Sequence, residues 1–387
     1  MGMRIGMAGL ITIGSQSAGA AGGVETSVEE ISTRLAARGH DVTVYCRARY
    51  NPDRPSAYKG VRLRHLPAIY TKHLESPTHT LLSTLAALRD ADVVHFHALA
   101  SSVYAWIPRV VGKKSIVTVQ GLDWRRAKWG PVARSLLKLG ERTAIALPNR
   151  TAVVSHFLER YYGEKYRRPV AYIPNGAPAI PRRPFDRLAR FGLEPDRYVL
   201  YLSRIVPEKG SHYLVEAFRK VRTDLKLAVV GDARHADAYL DRVRGMAEGD
   251  DRIVFTGPLY GEEKEEAYTN ARAFCLPSDL EGLPIVLLEA MGAGRCCLVS
   301  DIPEMVEVVD PERLGFACSY PDPDPGPYGR TFEQGNVDDL ARKLQDLLDH
   351  PDAVETLGAK AERHAAAEYS WDRITESFER LYLDALG

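Results

Sequence analysis

Short apolar runs alternate with amphipathic stretches along the whole chain. A short apolar run is typical of a buried strand, and apolar positions three or four apart predict a helix. Strands are predicted in the first half at residues 3–8, 42–45, 61–66, 92–96, 115–119, 151–154 and 170–173, and in the second half at residues 198–203, 225–230, 252–255, 273–276 and 297–300. Because helical stretches separate the strands, the pattern predicts an α/β protein with two doubly wound parallel sheets.

A chain of 387 residues is longer than one ordinary hydrophobic core supports, and a stiff connection divides it. Three prolines between residues 178 and 184 follow the last strand predicted for the first half. We place the domain boundary near residue 182, which gives domains of residues 1–182 and 183–370. The remaining residues, 371–387, are predicted to form an amphipathic helix.

The net charge of zero conceals an uneven distribution. Residues 1–185 contain 27 of the 51 Lys and Arg residues but only 12 of the 51 Asp and Glu residues, which leaves 24 basic and 39 acidic residues for the rest. Complementary surfaces of two domains would explain this split. An anionic partner of the first half, such as a membrane surface, would explain it equally well.

Composition and cysteine content favour a cytoplasmic protein. The shares of hydrophobic residues (45%) and charged residues (26%) are ordinary for a soluble domain, and no apolar run reaches a membrane-spanning length. The first residues lack the hydrophobic stretch of a signal peptide. The five cysteines are an odd number without zinc-binding spacing, which predicts reduced thiols.

Two carboxylates eight positions apart, Glu281 and Glu289, stand out in the second half. Pro284 suits the first position of a helix, so Gly282 and Leu283 should lie just before that helix, where free N–H groups attract anions and hydroxyl oxygens. Glu289 should lie on the buried side of the same helix, where its carboxylate needs a partner. One capping and one solvated glutamate would also explain the pair.

The stretch at residues 203–210 carries two cations, Arg204 and Lys209, between a predicted strand and a predicted helix. Together with the glutamate pair, it resembles the retaining glycosyltransferases of family four, which have the GT-B fold and an E-x7-E motif. The resemblance implies that Glu281 binds hydroxyls of the transferred sugar and that Glu289 binds the ribose. It also implies that Arg204 and Lys209 hold the diphosphate.

In the GT-B fold, two Rossmann-like domains face each other across a cleft. The resemblance implies that the first domain binds mainly the acceptor, that the second binds the nucleotide sugar, and that residues 371–387 cross back onto the first domain. Further donor contacts are expected at Gly22, Gly23, Gly231, Leu259, Tyr260, Gly282 and Leu283. For the glycine pair, which ends a loop rich in Gly, Ala and Ser at residues 14–23, a plain tight connection is the alternative.

Residues 120–130 resemble a subset of bacterial family members that act in polysaccharide assembly. Many relatives have His in place of Gln120, and that His touches the transferred sugar near its reacting centre. A neutral amide can bind a sugar hydroxyl but cannot act as a base, so Asp123 is the nearest carboxylate that could orient or deprotonate an acceptor hydroxyl. A turn-forming Asp is the alternative, and for His97, at a predicted strand end, the alternative is a structural histidine.

Residues 134–142 mix basic and apolar side chains in a helical pattern. Such a helix could lie on an anionic membrane surface, as in relatives that use lipid-linked acceptors. Alternatively, it packs against the sheet with its basic side in water.

No metal ion is expected. Asp322 and Asp324 spell the D-x-D string that other glycosyltransferases use to hold a metal, but their proline-rich and glycine-rich surroundings predict a surface loop. Arg204 and Lys209, with helix N-terminal amides, can neutralise a departing diphosphate instead.

The resemblance implies a metal-independent, retaining glycosyltransferase without a cofactor, which transfers a hexose or related sugar from a nucleotide diphosphate sugar to an acceptor hydroxyl. The expected role is bacterial cell-surface polysaccharide or glycolipid assembly, in the cytoplasm or peripherally at the inner face of the membrane, with no nucleic-acid partner. The alternatives are a small natural-product acceptor, a GT-B nucleotide-sugar epimerase and a non-enzymatic nucleotide-binding protein.

Overall fold

The computed structural model describes residues 2–13, 22–71, 74–126, 129–233, 236–324 and 326–387. The chain forms two compact units, of which the first comprises Met1–Asn175 and Trp371–Gly387 and the second comprises Gly176–Ser370. The second unit is therefore inserted into the sequence of the first. Most of the predicted glycine-rich loop, residues 14–21, lies outside the described residues.

The described part of the first unit contains a sheet of eight strands. They are β1 (Arg4–Ala8), β2 (Asp41–Arg47), β3 (Ala57–Tyr58), β4 (Val61–Leu66), β5 (Val93–His97), β6 (Lys114–Val119), β7 (Arg150–Val153) and β8 (Ala171–Tyr172). Their order across the sheet is β3-β4-β2-β1-β5-β6-β7-β8, and the two-residue β3 is antiparallel to β4 while the other pairs are parallel. Between them lie α1 (Gly23–Ala37), α2 (Glu75–Asp90), α3 (Trp106–Val110), α4 (Pro131–Ala146) and α5 (His156–Tyr166).

Apolar side chains on both faces of the central strands form the core of the first unit. Val93, Val94 and Phe96 of β5 are fully buried, as expected for a parallel strand that helices cover on both sides. Helix α1 covers one face through a stripe that includes Val28 and Leu35, which are also fully buried.

The described part of the second unit contains a wholly parallel sheet of six strands. They are β9 (Tyr198–Leu202), β10 (Lys226–Val230), β11 (Ile253–Gly257), β12 (Ala273–Leu276), β13 (Cys296–Ser300) and β14 (Arg330–Phe332), in the order β11-β10-β9-β12-β13-β14. The helices are α6 (Ser211–Lys220), α7 (Asp237–Ala247), α8 (Gly261–Thr269), α9 (Ile285–Gly292), α10 (Pro303–Val309), α11 (Val337–Asp349) and α12 (Pro351–Glu368).

The last helix, α13 (Trp371–Leu386), belongs to the first unit. In the core, Nδ1 of His95 in β5 lies 2.8 Å from the hydroxyl of Tyr382. At the surface, Glu379 accepts a hydrogen bond from Arg38 at the end of α1. The helix is therefore held to the sheet by a buried contact and to α1 by an ion pair.

The structure differs from the predicted elements mainly where these are short. The strands β3 and β14 have two and three residues, too few for a periodic pattern, and the sequence did not reveal them. Helix α9 begins at Ile285 rather than at Pro284, whose extended backbone (φ −74°, ψ 115°) makes it the residue before the helix. Across the described ranges, we find no helix with the length and apolarity needed to cross a bilayer.

The contact between His95 and Tyr382 predicts how firmly α13 is docked. Replacing Tyr382 with Phe leaves a buried ring nitrogen of His95 without its partner, which should lower the free energy of unfolding by about 1–3 kcal/mol. Leu383→Ala, at a neighbouring side chain that is 53% exposed, is the control and should change it by less than about 0.5 kcal/mol. Urea unfolding of the full chain measures both, and equal values would show that the buried contact contributes nothing.

Candidate active site

In the second unit, the strand order reverses between two neighbouring strands. The chain runs outward from β9 through β10 to β11 and then continues on the other side of β9 with β12, β13 and β14. In doubly wound sheets, ligands bind at the carboxyl ends of the strands where the order reverses. Lys209 follows β9 and Glu281 follows β12, so both lie at this reversal.

An ion pair joins the segments that follow β9 and β12. Nζ of Lys209 lies 2.5 Å from Oε1 of Glu281, and both side chains are largely buried. A backbone hydrogen bond of 2.9 Å from Asp279 to the carbonyl of Glu208 holds the same two segments together. The structure thus brings together one of the two predicted cations and the first predicted carboxylate.

The second predicted cation, Arg204, is exposed and lies on the loop that also carries Lys209. Among the described residues, its guanidinium forms no ion pair. The hydroxyl of the buried Tyr201 donates to the carbonyl of Arg204 at 3.1 Å and lies 3.4 Å from that of Lys209. The side chain of Tyr201 in β9 therefore holds the loop that carries both cations. The charge of Arg204 stays available to an anion.

Two glycines let the loops at the strand ends approach each other closely. Gly210 has φ +67°, and a Cβ there would lie 1.8 Å from the carbonyl oxygen of Pro277 at the end of β12. Gly231 follows β10 with φ +151°, and a Cβ there would lie 1.9 Å from the carbonyl oxygen of Ser203. Only glycine fits at either position, so the backbone segments around the candidate site are in direct contact.

Glu289 is buried in α9 and has two partners. Its carboxylate accepts hydrogen bonds from Nζ of Lys264 at 2.7 Å and from the hydroxyl of Tyr268 at 2.9 Å, both on α8. Burial, together with the neighbouring charge of Glu289, raises the pKa of Tyr268 well above its usual value, so its hydroxyl stays a donor. The partner that the sequence analysis required for this carboxylate is therefore a lysine and a tyrosine.

The other predicted donor contacts of the second unit lie on loops at the same end of the sheet. The N–H of Gly231 donates to the carbonyl of Gly257 at 3.1 Å, which ties the ends of β10 and β11. Next along the chain, Leu259 is buried, whereas Tyr260 is 42% exposed at the start of α8. Gly282 and Leu283 connect Glu281 to α9, and Leu283 is buried.

In the first unit, the glycine pair is found at the start of α1. Gly22 is the residue before the helix and Gly23 is its first residue, and both are exposed. The N–H of Gly22 donates to the carboxylate of Glu25 at 3.0 Å. The structure therefore shows the glycine pair at a helix start. The two interpretations given for this pair, a phosphate contact and a plain tight connection, both stay open.

Gln120 and Asp123 follow β6 in the first unit. The side-chain amide of Asn175 donates to Oε1 of Gln120 at 3.4 Å. Asp123 opens a short helix, Asp123–Arg125, and its carboxylate pairs with Arg126 at 3.1 Å. The two residues lie at one end of one strand, and Asp123 is oriented by a cation within its own turn.

Histidines 95 and 97 occupy the end of β5, next to the reversal of the first sheet between β1 and β5. Their rings are 4.1 Å apart and buried. His95 has a hydrogen-bond partner at each nitrogen, whereas those of His97 have none among the described residues. Ala98, directly after them, has φ +74° and ψ 161°, a strained conformation for a residue with a Cβ.

The D-x-D string lies in a loop between α10 and β14, as the sequence predicted. The carboxylate of Asp322 accepts hydrogen bonds from Tyr320 at 2.8 Å and from Tyr328 at 2.7 Å, and Asp324 pairs with Lys360 at 3.0 Å. The string is thus bound within its own loop and to α12. In the described ranges, no group of three or more His, Cys, Asp or Glu side chains is arranged to hold a metal ion.

Sequence reasoning missed Tyr201, Lys264 and Tyr268, the side chains that position the predicted residues. Tyr201 lies within an apolar run that predicts a strand, so its hydroxyl is not conspicuous. Lys264 is the one basic residue in the acidic run at 262–266, which is typical of a solvated helix face. Only the packing of α8 on α9 shows that Lys264 and Tyr268 face Glu289.

Two family models match the chain in order. Residues 22–176 match the glycosyl transferase 4-like domain, and residues 189–364 match the glycosyl transferases group 1. Because glycosyltransferase models match both halves of the chain, the chain is a glycosyltransferase.

Two proteins that are similar over most of this chain are a glycosyltransferase and a mannosyltransferase. The chain is 29% identical to a D-inositol 3-phosphate glycosyltransferase of Geodermatophilus obscurus, with 95% of this chain and 86% of the relative covered. It is 28% identical to a GDP-mannose-dependent alpha-(1-6)-phosphatidylinositol monomannoside mannosyltransferase of Mycobacterium tuberculosis, with coverages of 91% and 92%.

Solved structures show the same fold. Sucrose-phosphate synthase from Thermosynechococcus elongatus superimposes with a TM-score of 0.79 at 21% identity, with 98% of each chain covered. Anabaena HepE in complex with UDP and glucose superimposes with a TM-score of 0.77 at 15% identity, over 99% of this chain and 100% of that one. The GT-B fold predicted from the sequence is confirmed.

The close approach at Gly210 predicts a large effect of one methyl group. Gly210→Ala should lower the free energy of unfolding by at least about 2 kcal/mol more than Gly249→Ala does, because the added Cβ collides with the carbonyl of Pro277. Gly249 is the matched control, since it also has a positive φ (+80°) but nothing within 4 Å of a Cβ. Chemical unfolding of both variants measures the difference, and similar losses would mean that backbone strain alone matters.

The buried histidines predict a loss of stability in mild acid. Burial lowers the pKa of His79 to about 4 and that of His97 to about 3, from the usual 6.5. Below pH 6.5, the unfolded chain protonates these histidines and the folded chain does not. The free energy of unfolding is therefore greatest above pH 6.5 and falls as the pH is lowered towards 4. Each histidine contributes a loss of about 1.4 kcal/mol per pH unit.

Unfolding experiments between pH 7.5 and pH 4.5 test this linkage. His97→Gln should reduce the slope of stability against pH by one proton, because the imidazole that only the unfolded chain protonates in this range is absent. A wild-type slope that survives in His97→Gln would show that His97 is protonated in the folded chain.

Proposed function

We propose that the chain is a retaining glycosyltransferase, which transfers a sugar from a nucleotide diphosphate sugar to an acceptor hydroxyl. The observation that carries this proposal is the ion pair of Lys209 and Glu281 at the carboxyl ends of β9 and β12, with the exposed Arg204 on the same loop as Lys209. In a donor, the diphosphate is bonded directly to the reacting carbon of the sugar. A cation and a carboxylate in contact therefore suit neighbouring parts of one donor molecule.

The roles of the charged residues follow from the chemistry of the departing group. Arg204 and Lys209 neutralise the diphosphate as its bond to the sugar breaks, helped by the N–H groups of Gly282 and Leu283 before α9, and no metal ion is needed for this step. Glu281 accepts hydrogen bonds from sugar hydroxyls. Lys209 pairs with Glu281 and, in this proposal, also contacts the diphosphate. It therefore couples the position of the sugar to that of the leaving phosphate.

Glu289 binds the ribose of the donor in this proposal. Lys264 and Tyr268 fix its carboxylate, and an ionised carboxylate has about four acceptor positions, so a ribose hydroxyl can still donate to it. The loops with Gly231 and with Leu259 and Tyr260 contact the nucleotide, where an exposed tyrosine ring suits stacking on a base. Gly22 and Gly23, at the start of α1, stay predicted contacts of the donor phosphates.

Retention requires that the acceptor oxygen attack the face that the diphosphate leaves. Gln120 cannot act as a nucleophile towards the sugar, and Asp123 is already paired with Arg126. We therefore favour a same-face route through a short-lived oxocarbenium-like ion, with Asp123 orienting the acceptor hydroxyl. A stable glycosyl adduct on Asp123 or Glu281, seen by intact mass spectrometry, would contradict this route.

The expected acceptor belongs to a bacterial cell-surface polysaccharide or glycolipid. In support, the two relatives are named for transfer to inositol phosphate and to a phosphatidylinositol mannoside, both of which carry phosphate. The excess of basic residues in the first half favours peripheral contact with an anionic membrane, which would place the enzyme at the inner face of the membrane.

Changing Arg204 to Ala tests the site. Turnover should fall at least a hundredfold while donor affinity falls less than about tenfold, because the guanidinium acts mainly on the charge that develops as the diphosphate leaves. The donor is chosen by thermal-shift screening of uridine, guanosine and thymidine diphosphate sugars, and turnover is the release of nucleoside diphosphate.

Arg363→Ala is the matched control, because Arg363 is an exposed arginine of α12 without an ion pair among the described residues. It should leave both quantities unchanged. Equal losses of turnover and affinity in Arg204→Ala would end the assignment of Arg204, and an isomerised donor among the chromatographed products would indicate an epimerase.

A further inference from the structure

A buried arginine ends the second strand of the first sheet. Arg47, the last residue of β2, is 8% exposed, and its Nη1 lies 3.0 Å from Oε1 of Glu75, the first residue of α2. Its Nε is buried and has no hydrogen-bond partner among the described residues. A buried donor that stays unpaired destabilises the folded chain. The ion pair with Glu75 therefore uses only part of the guanidinium.

A second buried donor without a partner lies four residues later. Arg47 and Asn51 stand directly before and after a short helix, Ala48–Tyr50. Asn51 is 4% exposed, and its side-chain nitrogen Nδ2 has no hydrogen-bond partner in the part of the chain that the structure describes. Polar side chains that are buried this deeply are normally hydrogen-bonded. Two exceptions at the two ends of one turn indicate that these donors serve a ligand.

The carboxylate of Glu75 supplies acceptors at the same place. Besides the ion pair with Arg47, it accepts a hydrogen bond from the hydroxyl of Tyr50, whose pKa is raised by burial and by this carboxylate. An ionised carboxylate has about four acceptor positions, so two partners leave others free. The side chain of Glu75 is 19% exposed and the next two residues of α2 are exposed, so a ligand can reach it from solvent.

The packing of α2 holds these groups at the ligand-binding edge of the first sheet. The fully buried ring of His79, one turn after Glu75, hydrogen-bonds the backbone of Cys46 in β2. The N–H of Arg47 donates to the carbonyl of Ile11, in the segment that follows β1, at 2.8 Å. Ligands of doubly wound sheets bind at the carboxyl ends of the strands. The groups therefore lie beside the end of β1, one of the two strands between which the order reverses.

We infer that Arg47, Asn51 and Glu75, which we call the Arg47 site, bind a neutral sugar ring of the acceptor. A sugar hydroxyl both donates and accepts, so neighbouring hydroxyls can use the free donors of Arg47 and Asn51 and the free acceptor positions of Glu75 at once. Glu75 already balances the charge of Arg47, and the buried carboxylate of Glu25 also interacts with it, which disfavours an anion. That this sugar belongs to the acceptor rests on the proposed glycosyl transfer, but its binding does not.

Sugar binding to the purified full chain tests the inference. Saturation-transfer NMR without donor measures the binding of the methyl glycosides of glucose, galactose, mannose and rhamnose and of N-acetylglucosamine. Inorganic phosphate is the anionic probe. At least one sugar should bind in the millimolar range, which a few hydrogen bonds to a solvated ring support, and inorganic phosphate should not displace it.

Two variants keep the fold of the site and remove one free donor each. Arg47→Lys retains a positive charge beside Glu75 but lacks the Nε donor, and Asn51→Leu replaces the amide by an apolar group of similar shape. Each should weaken sugar binding at least about fivefold, because a hydrogen bond to the ring is lost. Arg64→Lys, at an exposed arginine that pairs with Asp90 in the same unit, is the matched control and should bind like wild type.

Stability separates a binding role from a structural one. Asn51→Leu removes a buried unpaired donor and should not lower the urea midpoint of the ligand-free chain. Asn270→Leu is the comparison, since Nδ2 of the buried Asn270 donates to the carbonyls of Arg183 and Glu266. This variant should lower the midpoint without changing sugar binding. A midpoint that falls as far in Asn51→Leu as in Asn270→Leu would give Asn51 a structural role and overturn its assignment.

Turnover distinguishes the Arg47 site from the proposed glycosyl transfer. With saturating nucleotide sugar, Arg47→Lys and Asn51→Leu should raise KM for the bound sugar at least about fivefold, with a smaller change in kcat. Sugar binding that depends on Arg47 but is followed by no transfer would support the site and contradict the transfer. No binding of any of the sugars, unchanged binding in both variants, or displacement by inorganic phosphate would overturn the Arg47 site and leave the transfer standing.

Discussion

The ion pair between Lys209 and Glu281 is the interaction on which the candidate site depends. Both side chains are largely buried, and a buried charge that loses its partner costs several kcal/mol, so neither residue tolerates removal of the other. The pair joins segments 72 residues apart, which meet because β9 and β12 are neighbours. The close approach of Gly210 to Pro277 belongs to the same constraint, since a wider gap between these segments would separate the charges.

Most of the fold could be predicted from the sequence, because long strands and helices have strong periodic patterns. It could not reveal β3 or β14, which are too short for a period and form only by pairing with β4 and β13. It also placed the start of α9 one residue early, since the proline that suits a first helical position can equally stand just before it. Local preference decides that a helix starts, and tertiary packing decides at which residue.

The candidate site was predictable only as far as charge and order along the chain allow. Arg204, Lys209, Glu281 and Glu289 are conspicuous because charged residues follow or enter apolar elements. Their partners are not, because the hydroxyls of Tyr201 and Tyr268 belong to side chains that a pattern counts as apolar. Likewise, counting charges shows that residues 101–150 are basic, but only the contacts of Glu141 with Lys165 and of Asp123 with Arg126 show which cations these carboxylates neutralise.

The insertion of the second unit into the first affects how the chain is made. A ribosome delivers β1 to β8 long before α13, which comes from the last residues. Until then, the nascent first sheet lacks the helix that covers it, and His95 has no tyrosine hydroxyl beside it. The first unit therefore completes its fold after the second has been synthesised. A chain that is truncated before residue 371 lacks α13 and leaves the first unit incomplete.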